Sequence, residues 1–149
     1  MRFREWLDED DEANGNFYHT QLVNDDDMVG RQTWKVNGVT FVKPERASGD
    51  VVIMTNVAKF DKAWSQDMDM YITPGGGGNA INIRYPRFVH FLTLGQPVIM
   101  SEVSVAVSDT PHFTNGRHRY SVLRDQGWKK IPMCVDPESA PKFRRLYGI

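Results

Sequence analysis

FTNGRHRYSVLRDQGWKKIPM, Phe113 to Met133, fits a strand end, a tight turn, a helix and a second strand into 21 residues. Phe113 reads as the end of a strand, and Asn115-Gly116 as a turn pair, because both residues tolerate left-handed backbone. Arg117 to Gln126 has the spacing of a helix and Gly127 stops it. Ile131 to Val135 is the closing strand. The first helical turn carries Arg117, His118 and Arg119. Cations are unfavourable there by a few tenths to about 1 kcal/mol each, because a helix N-terminus is itself electropositive. A bound phosphate would reverse that sign, since backbone N–H groups, dipole and side chains would converge on it. At 100° per residue Arg119 points between Val122 and Leu123, toward the buried face. A guanidinium buried there needs either a ligand or a carboxylate, and Glu102 and Asp109 are the acidic alternatives. Arg117 is expected to serve affinity with little part in stability.

Upstream, RYPRFVHFLTLGQPVIM places Pro86 at a helix start, Phe88, Val89, Phe91 and Leu92 on one apolar face, and Gly95 at the stop. Pro97 to Met100 and Glu102 to Val107 are strand candidates, as are Met70 to Ile72 and the stretch with Ile81 and Ile83. Further back, Arg31 to Val42 reads as a hairpin about Asn37-Gly38, Val51 to Met54 as a buried strand and Val57 to Trp64 as a short helix. Pro141 to Tyr147 is a basic helical tail. Strands alternating with helices give an α/β (α+β) class, a small mixed sheet with flanking helices. The expected division is an acidic N-terminal extension over 1–45, holding the hairpin, and one domain over 46–149.

The chain has 149 residues and a net charge of −1, but the charge is unevenly spread. Residues 1–80 carry 8 basic and 14 acidic side chains, and residues 81–149 carry 10 basic and 5 acidic. The second part therefore suits an anion, nucleotide or nucleic acid, unless the two parts neutralise each other in the fold. The single cysteine, Cys134, excludes a disulfide framework and a zinc site built on several cysteines. Apolar runs are too short for a membrane helix, and the N-terminus lacks a secretory pattern, so a bacterial cytoplasmic protein without a membrane partner is expected.

Other groups are weaker. Gly75 to Gly78 lacks the Gly-Lys-Ser/Thr of a phosphate loop and reads as a mobile surface loop, with a lid as the alternative. Asp67, Asp69 and Glu102 are the only carboxylates to nominate for Mg²⁺, while Asp8 to Glu12 and Asp25 to Asp27 read as solvated before they read as metal ligands. His112 reads as structural. Lys142, Arg144 and Arg145 either grip a nucleic-acid backbone or form the solvated face of a docked helix.

The stretch from Phe113 to Met133 resembles the signature of the ParB/sulfiredoxin superfamily: strand, Gly-x-x-Arg turn, helix, Gly, and a strand with Ile-Pro. With RYPRFVHFLTLGQPVIM the resemblance covers roughly residues 69–135. Within the superfamily, Gly-Arg-His-Arg, Leu-Arg-Asp, Ile-Pro and FDKAWSQDMDMYI with its glycine loop are similar to plasmid fertility-inhibition factors. The sulfiredoxin catalytic cysteine is replaced by Arg117, so sulfinic acid reduction is excluded. About 15 residues follow the Ile-Pro strand, too few for the DNA-binding and dimerisation domains of a ParB clamp.

The resemblance implies ATP (or CTP) binding, with or without Mg²⁺, and action on DNA in conjugative transfer through a type IV secretion system. Phosphate-binding candidates are Asn115, Gly116, Arg117, His118, Arg119 and Arg84. If phosphate esters are hydrolysed, by an ATPase or DNase, His118 and Arg119 are the catalytic candidates, with His118 moving the proton. The alternative is a non-catalytic inhibitor of a secreted substrate or coupling protein, its phosphate site structural or regulatory.

Overall fold

The computed structural model describes residues 32–149. Strands β1 (Thr33–Val36) and β2 (Val39–Val42) form the expected hairpin. Asn37 at φ 49° and Gly38 at φ 79° both occupy left-handed backbone, which a two-residue turn with the native strand twist requires. β2 then pairs in parallel with β4 (Val98–Ile99), so the hairpin is hydrogen-bonded to a strand more than fifty residues downstream. β3 (Val51–Asn56), β5 (Glu102–Ser104), β6 (His112–Asn115) and β7 (Lys130–Val135) make a second sheet in the order β3-β7-β5-β6. The α+β class stands, and its strands divide between two small mixed sheets of three and four strands.

Four α-helices flank the sheets among the described residues. α1 (Val57–Trp64) begins at Asn56, whose side chain accepts from the Lys59 amide. It buries Val57, Phe60 and Trp64. α4 (Ala140–Tyr147) buries Ala140, Phe143 and Tyr147 beside it and leaves Arg144 and Arg145 exposed. Edge-on ring contacts tie α1 to the second sheet, where Phe60 and Trp64 meet Phe113 at 5.5 and 4.7 Å, and to helical residues Tyr120 and Tyr147, which Phe60 meets at 5.0 and 5.8 Å. Such pairs contribute roughly 0.5–1.5 kcal/mol each beyond their buried area.

α2 (Arg84–Thr93) starts two residues earlier than Pro86 implies and buries Arg84, Phe88 and Phe91, with Val89 at the surface. α3 (Arg117–Asp125) packs against α2 and lies between β6 and β7. Two expected strands are absent. Met70 to Ile72 and the Ile81–Ile83 stretch belong to one long loop between α1 and α2. Ile72 is fully buried, but as a single side chain anchoring that loop, and Asn82 sits at a left-handed φ of 32°. Strand β5 also stops at Ser104, short of the expected Val107, which is 94% exposed. No helix among the described residues is long and apolar enough to cross a membrane. The acidic clusters at Asp8 to Glu12 and Asp25 to Asp27 lie outside the described residues.

Candidate functional site

The turn between β6 and α3 admits only glycine. Gly116 has φ 90°, and a Cβ there would stand 2.5 Å from Ser101 Oγ and 2.7 Å from Arg119 Nη2. Ser101 Oγ donates to the Gly116 carbonyl at 2.8 Å, and the same carbonyl accepts the first helical bond, from Tyr120 N at 2.9 Å. Gly116 offers no capping side chain, and no acidic residue stands in the first turn. That turn is instead Arg117, His118 and Arg119, each only 2–3% exposed.

The helical phase of Arg119 is as expected: it is inward-facing, and its guanidinium folds back over Gly116. Both acidic residues considered for it also have other cations as partners. Glu102 pairs with Arg46 at 2.6 Å, and Asp109 pairs with Lys142 at 2.8 Å. Arg117 departs from expectation. It is buried, and its Nη1 donates to the carbonyls of Met70 and Asn79, both at 2.9 Å, so it ties the α1–α2 loop to α3 as well as carrying charge. Helical phase alone missed this, because the loop that closes over Arg117 comes from more than thirty residues away.

Arg84, at the start of α2, reaches the same place. Burial pushes the His118 pKa down to about 2, and the positive charges of Arg117, Arg84 and Arg119 add to the shift. His118 is therefore neutral at every ordinary pH. Its Nε2 accepts from the Ile81 amide at 2.9 Å, which puts the ring proton on Nδ1. Asn115, at 5% exposure, closes the strand side, and its buried amide oxygen lacks a hydrogen-bond partner. Asn115 to Arg119 thus occupy the turn and the first turn of α3, and Arg84 acts on His118 from the start of α2.

Of the carboxylates nominated for metal, Glu102 stands beside the turn in register with Asn115, while Asp67 and Asp69 lie in the α1–α2 loop. Glu102 lies on the neighbouring strand, committed to Arg46. Asp67 Oδ1 accepts from the amides of Asp69 and Met70, each at 3.2 Å, and its other oxygen lies 3.8 Å from the exposed His112. Asp69 is at the surface. No group of three or more His, Cys, Asp or Glu that could hold a metal occurs among the described residues.

The glycine loop is more closely held than a mobile surface loop would be. Gly75 N donates to Asp125 Oδ2 at 2.9 Å, and Gly76 lies flat on the Tyr85 ring, where a Cβ would come within 2.7 Å of it. Asp125 also accepts from Tyr85 OH at 2.6 Å and from Arg124 Nε at 2.8 Å. Burial works against its charge, but these bonds hold its carboxyl below the usual range. Arg124 continues to Asp61 Oδ1 at 3.0 Å and the Ile72 carbonyl at 2.7 Å, and Tyr71 OH donates to Asp61 at 2.8 Å. Sequence reasoning did not find this network. One signal was present: an aspartate in the last turn of a helix is opposed by the dipole and so calls for a partner.

No family model and no curated protein sequence matches the chain. Among solved structures, an oncogenic suppression activity protein, a plasmid fertility inhibition factor crystallised as a gold(I) cyanide derivative, is similar in fold. The TM-score is 0.58 and the identity 18%, over 74% of this chain. The match spans 63% of that structure's own length.

Proposed function

We propose that this protein binds the phosphates of a nucleotide at the β6–α3 turn, and that it inhibits conjugative DNA transfer as a plasmid fertility-inhibition factor does. The observation that carries the reading is the convergence of Arg84, Arg117 and Arg119 on the neutral His118 at a helix start without an acidic residue. Free backbone N–H groups at a helix start and guanidinia beside them are the donors that suit a phosphate. The fold likeness supports the process, and the Gly116 to Arg119 turn supports the ParB/sulfiredoxin kinship of the site. A bacterial cytoplasmic setting, contact with DNA and a target in type IV secretion belong to the same reading.

The ligand is ATP or CTP, with Mg²⁺ bound through its phosphates, since Glu102, the nominated carboxylate beside the turn, is bonded to Arg46. While the loop is seated the lone pair of His118 accepts from the Ile81 amide, and an imidazole whose pKa is pushed down to about 2 takes protons poorly. That observation favours a regulatory phosphate site in a protein-binding inhibitor over a phosphohydrolase. Calorimetric titration of ATP and CTP, with and without Mg²⁺, tests the reading. Saturable binding by the natural protein that is lost in Arg84→Gln is expected. Absence of binding to either nucleotide at millimolar concentration would refute it.

A further inference from the structure

We propose that residues 73–81 are a displaceable plug, seated where a nucleoside phosphate binds, and that ligand binding expels it. This rests on the phosphate-site reading above and adds how the site is kept shut. Arg117 and His118 are only 3% exposed, and the loop is bonded to both, so a ligand that takes its contacts must move it. The loop occupies them through its backbone: the Asn79 carbonyl accepts from Arg117 Nη1, and the Ile81 amide donates to His118 Nε2. A carbonyl oxygen on a guanidinium is the neutral counterpart of a phosphate oxygen, and a charged acceptor would make the stronger bond.

The other end of the segment sits at the far end of α3, where Gly75 donates to Asp125 and Gly76 covers the Tyr85 ring. From Arg117 to Asp125 the helix advances eight residues, about 12 Å at 1.5 Å per residue. That span suits a nucleoside polyphosphate whose phosphates replace the Asn79 carbonyl on Arg117 and whose base replaces Gly76 on Tyr85. Asn115 supplies an independent sign of a ligand, since its buried carboxamide has an amide oxygen without a partner and, in either orientation, suits a polar ligand at the turn.

The segment is made to leave. Between Ile72 and Arg84 no residue is buried, so lifting it exposes little apolar surface. Its seating depends on glycine: Gly76 has φ 82°, and a side chain there would strike the ring of Tyr85. Hinges are available at Ile72, which is fixed in the core, and at Arg84, which begins α2.

Hydrogen exchange of the whole protein, with and without Mg·ATP, reads the two segments separately. ATP is expected to speed exchange of the Gly75 and Ile81 amides while slowing exchange over 117–120. Gly76→Ala, which unseats the plug without touching the turn, is expected to bind ATP several-fold more tightly, since the cost of expulsion is removed. Slower exchange in both segments would make 73–81 a lid that closes on ligand, and would overturn the proposal. Protection of 117–120 with 73–81 unchanged would overturn it too, leaving the phosphate site standing. No binding by the natural protein or by Gly76→Ala would remove both.

Discussion

The two ends of helix α3 use arginine in opposite ways. At the C-terminal end, Arg124 meets carboxylates, Asp61 at 3.0 Å and Asp125 at 2.8 Å, and its charge is matched within the fold. At the N-terminal end, Arg117 donates to two backbone carbonyls, Met70 and Asn79, and stands beside Arg84, Arg119 and a neutral histidine. The Arg117 carbonyl acceptors belong to the loop that lies over the helix, so a phosphate that displaces the loop can take their place. Carboxylates cannot be replaced in that way without expelling one anion for another. One end is therefore built as a fixed joint and the other as an exchangeable one.

Breaking the fixed joint carries the largest expected effect. Arg124→Ala leaves Asp61 and Asp125 facing each other's surroundings without their cation, and is expected to cost about 3–5 kcal/mol in chemical denaturation. A loss below 1 kcal/mol would show that the network is only decoration on a fold held by its rings. At the exchangeable joint, Arg117→Ala leaves two carbonyls without a donor and is expected to cost about 1–3 kcal/mol. Nucleotide affinity is expected to fall with it, whereas Arg124→Ala, if folded, keeps the phosphate contacts.

Proton linkage sharpens the contrast. His118 has a folded pKa near 2 and an unfolded one near 6.5, so the unfolded chain binds the extra proton between these values. Stability contributed by the neutral ring is therefore present above about pH 6.5 and is lost progressively as pH falls. At pH 5 the loss is about 2 kcal/mol, from 1.5 pH units at 1.36 kcal/mol each. The melting temperature of His118→Gln is expected to fall less between pH 7 and 5 than that of the natural protein. Parallel curves would mean that His118 is already accessible to protons. The smallest effect belongs to Tyr85→Phe, which removes the 2.6 Å bond to Asp125 and is expected to cost about 1 kcal/mol while loosening the Gly75 amide in hydrogen exchange.

Where local chemistry determines structure, the sequence was informative. Asn37-Gly38 implied the hairpin, Phe88 and Phe91 implied the face of α2, and Gly116 to Gly127 bounded α3 almost to the residue. The inward phase of Arg119 followed from helical geometry, and Arg84 stands near enough to His118 to lower its pKa. Readings failed where a distant partner decides. Ile72 and Ile81 mimic strand residues, but Ile72 is a lone core anchor and Ile81 turns its amide to a histidine 37 positions away. The burial of Arg117 and the Asp61–Arg124 pair, 63 positions apart, likewise depend on how the α1–α2 loop lies across α3. Spacing within one segment carries no trace of such contacts.

The central claim, that the start of α3 is an anion site, is tested most directly by the ATP-dependent rise in melting temperature of three proteins. At 100 times the dissociation constant the ligand adds about 2.7 kcal/mol to stability. The natural protein and Lys142→Gln, altered at the surface pair with Asp109, are expected to show the same rise. Arg84→Gln is expected to show none. An equal rise in Arg84→Gln, or no rise in the natural protein, would contradict the account.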